Sequence, residues 1–273
     1  MIDGALPYLR CPVCEGAVAR AGAGSLRCPR GHTFDIARQG YVDLTAGRVP
    51  HQGDSVPMVA DRAEFLAAGH YDFIAAALAE AAAAHRPAGD GPVLDAGTGT
   101  GWYLGHVLQA LPGAVGVGLD VSKPALRRAA RAHQRAGAVR CDLWRRLPLA
   151  DASAALVLDV FAPRNAAEFR RVLRPGGALL VVTPAADHLH ELVGTLGLIR
   201  VDPDKAERLA DHLGGHFTAA GTTTHRRTLH LAGADLRTLV GMTPSARHVR
   251  AGDLPEHDVP VTAAVDLTVY RPA

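Results

Sequence analysis

Val93-Leu94-Asp95-Ala96-Gly97-Thr98-Gly99-Thr100-Gly101 is the stretch on which the fold of this 273-residue chain turns. An apolar pair and an Asp run into glycines at every second position, the pattern of a buried strand that ends in a tight loop. A nicotinamide-dinucleotide loop needs its third glycine three residues after the second, where this chain has Trp102. The dinucleotide reading is therefore demoted. Such a loop lets backbone approach a ligand without a pyrophosphate, such as the methionine part of S-adenosylmethionine.

Working outward, Val115 to Asp120 reads as a second strand, and Asp120 falls nineteen residues past Gly101, where a strand-end carboxylate can accept hydrogen bonds from ribose hydroxyls. Asp142, in Arg140-Cys141-Asp142-Leu143, falls where a third strand ends, close to an adenine amino group. Leu147-Pro148-Leu149-Ala150-Asp151 leads into a strand from Ala154 to Phe161, and Leu173-Arg174-Pro175-Gly176-Gly177 precedes another at Ala178 to Val182. Helix-capping could explain Asp95 and Asp120, and turn formation the glycines, but neither accounts for the whole series in order. Strands alternating with helices imply an α/β doubly wound, mostly parallel sheet of seven strands, a class I Rossmann-like methyltransferase domain. The tail adds candidates at Thr228 to Leu231 and Val261 to Tyr270, the latter alternating as an antiparallel edge would.

Ahead of that domain stand Cys11, Cys14, Cys28 and His32, with gaps of two, thirteen and three. Cys11-Pro12-Val13-Cys14-Glu15-Gly16 and Cys28-Pro29-Arg30-Gly31-His32 are turn sequences that aim two ligand atoms at one point. Three thiolates and an imidazole with no open position make a structural zinc site. The metal folds a segment too short to fold by apolar burial alone. Reduced or disulfide-paired cysteines are the alternative.

These signals divide the chain into a zinc-binding RNA-recognition module over 1–45, a linker and helices over 46–88, and the methyltransferase domain over 89–273. In the middle part, Val56 to Leu66 and Tyr71 to about His85 have helical spacing, with Gly69 between. Composition is 48% hydrophobic, ample for a core, and net charge is +2, so the chain is no polycation. No apolar run approaches the ~20 residues of a membrane span and no signal pattern opens the chain, so a soluble, cytoplasmic, membrane-free protein is expected. Lysine is restricted to Lys123 and Lys205. Seven arginines between Arg127 and Arg146 face one acid, Asp142, and form either a phosphate-binding cluster or a solvated helix face.

The sequence resembles the RlmA-type 23S ribosomal RNA (guanine-N1)-methyltransferases over nearly its full length. The resemblance runs through the zinc ligands, Phe34-Asp35, Gln39-Gly40-Tyr41-Val42-Asp43-Leu44, Gly53-Asp54-Ser55, Met58, Arg62, Phe65-Leu66 and Gly69-His70-Tyr71. It continues through the glycine loop, Gly118 to Lys123, Phe161-Ala162-Pro163, Thr183-Pro184, His188-Leu189, Glu191-Leu192 and Met242-Thr243-Pro244. It implies S-adenosylmethionine and zinc as cofactors, methylation of guanine N1 in hairpin 35, and Tyr71, Gly99, Thr100 and His188 as cofactor contacts. It further implies a homodimer and, for members from antibiotic-producing actinomycetes, macrolide resistance. A departure is Thr98-Gly99-Thr100-Gly101-Trp102, where the family commonly shows Cys-Gly-Glu-Gly-Tyr.

The expected cofactor set is thus Tyr71, Asp95, Gly97, Gly99, Thr100, Gly101, Asp120, Asp142 and His188. Asp159-Val160-Phe161-Ala162-Pro163-Arg164 ends the fourth strand at the mouth of the cofactor cleft, so Phe161 and Pro163 are candidates to shape a guanine pocket. Asp159 is the candidate base, with His188 a second; Phe161 as core and Asp159 as an ion-paired or capping residue are the structural alternatives. Arg10, Arg20, Arg27, Arg30 and Arg38 beside Tyr8, Phe34 and Tyr41 are the expected RNA-binding mix. Two other readings remain: a small-molecule methyltransferase and a non-catalytic zinc-containing RNA-binding factor.

Overall fold

The computed structural model describes residues 2–51, 53–196, 212–243, 254–255 and 257–273. Lys205 and Pro244, singled out above, lie outside them. The amino-terminal segment holds a short helix α1 (Ile2–Ala5) and three short strands, β1 (Ala19–Arg20), β2 (Ser25–Arg27) and β3 (Thr33–Asp35), paired antiparallel in that order. Next come β4 (Val42–Asp43), α2 (Val56–Ala67) and α3 (Asp72–His85). Ser55 caps α2, its hydroxyl accepting the Met58 N–H, and Pro57 sits in the first turn, where a missing N–H costs nothing.

The remainder alternates as expected: β5 (Val93–Ala96), α4 (Trp102–Ala110), β6 (Gly116–Asp120), α5 (Lys123–Ala132), β7 (Ala136–Arg140), β8 (Ala154–Val160), α6 (Ala166–Val172) and β9 (Leu173–Pro184). Then follow α7 (His190–Leu196), β10 (Phe217–Leu231), α8 (Gly233–Gly241) and β11 (Val259–Pro272). The sheet order is β10-β11-β9-β8-β5-β6-β7-β4. Pairings from β9 through β4 are parallel, and those of β11 with β9 and β10 are antiparallel.

Alternation along the strands sorts side chains to two faces. Val93, Leu156, Leu158, Leu180 and Val182 pack with α2, α3, α4 and α8; Leu94, Val157, Leu179 and Val181 pack with α1, α6 and the amino-terminal segment. Both faces are covered, so the central strands read as continuous apolar runs.

Two expectations change. The sheet has eight strands among the described residues, because β4 adds to the β7 edge with Val42 opposite Val139 and Asp43 opposite Arg140. And β11 is not an edge: its inward residues, Val261 to Val269, lie between β9 and β10, and the fifteen-residue, largely exposed β10 takes the edge instead.

The arginine cluster also resolves. Arg127, Arg128 and Arg131 are exposed on α5, but the other four tie elements together. Arg135 donates to the carbonyls of Leu108, Leu111 and Ala114. Arg140 pairs with Asp43 at 2.8 Å, Arg145 donates to the carbonyls of Ala46 and Arg48, and Arg146 reaches Glu15 at 2.9 Å.

Candidate active site and metal centre

The glycine loop crosses the carboxyl end of β5, and Gly97, Gly99 and Gly101 all have positive φ. At Gly97 glycine is obligatory, because a Cβ there would lie 2.4 Å from that of Ala162 at φ +82°. Gly101 starts α4, where a Cβ would stand 2.8 Å from that of Ala132 and 3.0 Å from the Ala129 Cα. Gly97 and Thr98 donate their N–H groups to the Leu119 carbonyl, both at 2.9 Å, which ties the loop to β6. Asp120 fixes the next residue: Oδ2 accepts the Gly99 N–H and Oδ1 the Ser122 N–H, each at 2.8 Å. An ionised carboxylate offers about four acceptor positions, so Asp120 retains capacity toward the cleft. Burial raises its pKa, against the two backbone hydrogen bonds that lower it.

The loop borders a cleft of about 850 Å³. Tyr71, Gly97, Gly99, Thr100, Asp120, Asp142, Phe161, Pro163 and His188 all line it, so most of the residues expected to act together do meet. Asp142 is nearly buried, with Oδ1 accepting the Trp144 N–H at 3.0 Å. Phe161 is 40% exposed and holds φ +54°, a left-handed conformation that costs a non-glycine residue about 1–3 kcal/mol and is retained when neighbouring structure imposes it. It belongs to the cleft rather than the core.

Three expectations about position are corrected. Asp95 and Gly101 are not cleft residues. Asp95 is buried beneath the loop, accepting the Thr98 hydroxyl at 2.6 Å, and burial pushes its carboxyl up to about 7. Asp159 also lies outside the cleft wall: it is fully buried, with the Arg164 Nε 3.1 Å from Oδ1, while Arg164 itself lines the cleft. Alternation along β8 brings Val160 to the cleft and turns Asp159 to the other face, and the left-handed turn at Phe161, just past the strand's end, brings that ring to the cleft as well.

His188 has a defined tautomer. The Ala264 N–H can only donate, and it reaches Nδ1 at 3.1 Å. In the neutral ring Nε2 therefore carries the proton, 3.4 Å from the Tyr71 hydroxyl. Sequence reasoning assigned no role to Arg62, Asp54, Trp144 or Arg164, all of which line the cleft. Arg62 and Trp144 lie on a helix and in a loop whose apolar pattern says nothing of what they face.

In the amino-terminal segment, the ligand atoms of Cys11, Cys14, Cys28 and His32 lie within 4.8 Å of one another. Cys14 and Cys28 Sγ are 3.6 Å apart, and His32 Nδ1 is 3.5 Å from Cys11 Sγ and 3.3 Å from Cys28 Sγ. Tetrahedral zinc with thiolates at ~2.3 Å and imidazole at ~2.0 Å spaces its ligand atoms by about 3.5–3.8 Å. The set fits zinc, and the sulfur separation excludes a disulfide at ~2.05 Å. Both turns form as expected: Glu15 N–H donates to the Cys11 carbonyl and Gly31 N–H to the Cys28 carbonyl, each at 2.9 Å. Of the expected RNA-facing residues, Arg27, Arg30 and Arg38 are exposed. Arg20 is paired with Asp3 at 2.6 Å, and Tyr41 is buried against α5, unable to stack a base.

A mostly parallel sheet with a glycine-bordered cleft at its strand ends, acids closing the second and third strands, and a zinc ribbon in front define a class I S-adenosylmethionine-dependent methyltransferase. Residues 9–46 match the family described as RlmA, N-terminal, and residues 93–177 match a methyltransferase domain. A Micromonospora griseorubida protein named as a 23S rRNA (guanine-N1)-methyltransferase is 59% identical over 290 residues, covering 98% of each chain. A Streptomyces fradiae protein named 23S rRNA (guanine(748)-N(1))-methyltransferase is 49% identical over 276 residues, covering 97% of each. The solved structure of MccD protein matches with a TM-score of 0.50 at 15% identity, over 72% of this chain and 96% of that one, a likeness of fold. The chain belongs to the family of 23S rRNA (guanine-N1)-methyltransferases.

Proposed function

We propose that the protein transfers a methyl group from S-adenosylmethionine to N1 of a guanine in hairpin 35 of 23S ribosomal RNA. The observation that carries this is the cleft itself, where the glycine loop, Asp120, Asp142 and the Phe161-Ala162-Pro163 turn converge. The cofactor supplies an electrophilic methyl. The residues supply alignment, the main requirement of an in-line displacement: Asp120 toward ribose, Asp142 toward adenine, and Tyr71, Gly97, Gly99, Thr100 and His188 along the rest. Asp95 and Gly101 serve by shaping the loop. Phe161 and Pro163 present a rigid wall to a guanine drawn from its stack, as enzymes that act on bases require.

Guanine N1 must lose its proton, and solvent water entering the cleft takes it. With Nδ1 engaged by Ala264, His188 acts as a hydrogen-bond donor in this scheme rather than as the base. Asp159 works through Arg164, which it holds as a fixed cation at the cleft wall. A nearby cation favours the anionic, N1-deprotonated guanine. Asp159→Asn loses rate in this scheme but retains cofactor affinity.

Residues 1–45 bind RNA through Arg27, Arg30 and Arg38, 46–88 connect, and 89–273 bind cofactor. Homodimer assembly, a cytoplasmic location and macrolide resistance belong to the same reading on family likeness; no helix among the described residues is long and apolar enough to cross a membrane. The deciding experiment is transfer of tritiated methyl from S-adenosylmethionine to undermethylated 23S rRNA, with the modified nucleotide mapped. Label at N1 of a hairpin 35 guanine is expected. Label only in small metabolites, or none, refutes it.

A further inference from the structure

S-Adenosylmethionine has two recognisable ends, and the acids described above account for the adenosine end only. The other end is an α-amino acid whose carboxylate must exchange water for donors when it enters the cleft. The glycine loop cannot supply them in full. Its amides at Gly97 and Thr98 are donated to the Leu119 carbonyl, that of Gly99 to Asp120 and that of Gly101 to the Thr98 carbonyl. A cation on another element has to complete the site.

Arg62, on α2, lies against the loop. Its Nη1 is 3.8 Å, and its Cδ 3.9 Å, from where a Cβ on Gly99 would be. Two contacts fix the far side of the guanidinium: Nη2 donates to the Met242 carbonyl at 2.9 Å and pairs with Asp54 Oδ2 at 2.7 Å. Nε is buried and makes no hydrogen bond within the protein, and the side chain as a whole is 30% exposed into the cleft. A planar five-donor group anchored at one nitrogen, with others unspent beside the glycine loop, is a receptor for a carboxylate. Leucine, methionine or glutamine at this position would serve the helix equally well, so helix formation does not require an arginine here.

We propose that Arg62 binds the α-carboxylate of the cofactor's methionine moiety, with Asp54 and the Met242 carbonyl holding the guanidinium in place. The inference rests on the cleft being the S-adenosylmethionine site. Arg62 then sets affinity for the amino-acid end, and Asp120 and Asp142 set it for the nucleoside end. The arrangement also gives α2 and the segment at Met242 a direct part in cofactor capture, since both contribute to one anchor.

The test is calorimetric binding to the full, zinc-loaded chain of two ligands that differ by one group, S-adenosylmethionine and its decarboxylated form. Both keep the sulfonium and the amine. Wild type is expected to prefer S-adenosylmethionine by about 10- to 100-fold, the range of a charge-assisted, multi-donor contact. Arg62→Gln, whose amide can still donate to Met242, should lose that factor for S-adenosylmethionine while binding the decarboxylated ligand within about 2-fold of wild type. Arg62→Lys, which keeps charge but not the fork, should fall between. Equal weakening of both ligands in Arg62→Gln would show a purely structural role and overturn the proposal, as would a wild type indifferent to the carboxylate. If wild type bound neither ligand, the cofactor reading itself would fall, a different outcome from loss of discrimination alone.

Discussion

Replacing Gly97 with alanine tests whether the glycine loop and the turn after β8 are one packed unit. Two costs follow from the structure. An L-residue at φ +82° is strained by roughly 1–2 kcal/mol. The new methyl would also lie 2.4 Å from the Ala162 Cβ, where carbons in contact prefer ~3.5–4.0 Å, and relieving such an overlap costs typically ~1–3 kcal/mol. Gly97→Ala should therefore lose about 2–5 kcal/mol in urea denaturation, with weakened cofactor binding because the loop must shift. Ala162→Gly removes the atom struck. In that background the strain stays and the collision goes, so Gly97→Ala should cost only ~1–2 kcal/mol, a coupling of about 1–3 kcal/mol in the double-mutant cycle. Equal losses in both backgrounds would mean the two loops do not touch, and the link between cofactor side and acceptor side would be withdrawn.

Further expectations bear on other parts. Asp120→Asn turns one acceptor into a donor facing a backbone N–H, so cofactor affinity should fall by ~1.5–3 kcal/mol, about 10- to 150-fold by calorimetry; an unchanged Kd would remove Asp120 from the site. Cys14→Ser should lower bound zinc, measured by a colorimetric chelator, and reduce both thermal midpoint and rRNA methylation, whereas full metal content with full activity would contradict the assigned ligand set. Burial raises the Asp95 carboxyl to about 7 from 3.8, so the native state prefers it protonated. Its contribution is complete below about pH 4 and is lost as pH rises through about 7. Asp95→Asn should therefore gain on wild type in denaturation midpoint between pH 5 and pH 8, and a gap independent of pH would argue against the shift.

The glycine loop was legible in the sequence because alternate glycines after an apolar strand leave few conformations open, and Asp120 because strand ends are fixed by the same alternation. The metal set was legible from spacing alone. What escaped depends on contacts between distant segments. Val42-Asp43 is too short to carry a pattern, and it becomes a strand of the main sheet only through its backbone pairing with Val139 and Arg140 of β7, with the Asp43–Arg140 ion pair beside it. Asp159 and Phe161 are two residues apart, yet one is sealed with Arg164 and the other faces the cleft, because the backbone turns left-handed at Phe161. No local rule foretells that turn. Arg135, Arg145 and Arg146 read as part of either a phosphate-binding cluster or a solvated helix face. The contacts they make with carbonyls or acids of other segments are not written in the local pattern, even though Arg145 and Arg146 stay exposed.

The place of β4 at the rim has a consequence for proteostasis. It covers β7, whose open side would otherwise offer unpaired amides and carbonyls to other chains. Besides its pairing with β7, it is tied to the ribbon immediately before it by a bridge from Ile36 to Val42 and by the Ala37 N–H donated to the Tyr41 carbonyl, so metal starvation would loosen a sticky flank as well as silence the enzyme. Cells short of zinc should accumulate this polypeptide in inclusion bodies, and resupply during synthesis should return it to the supernatant.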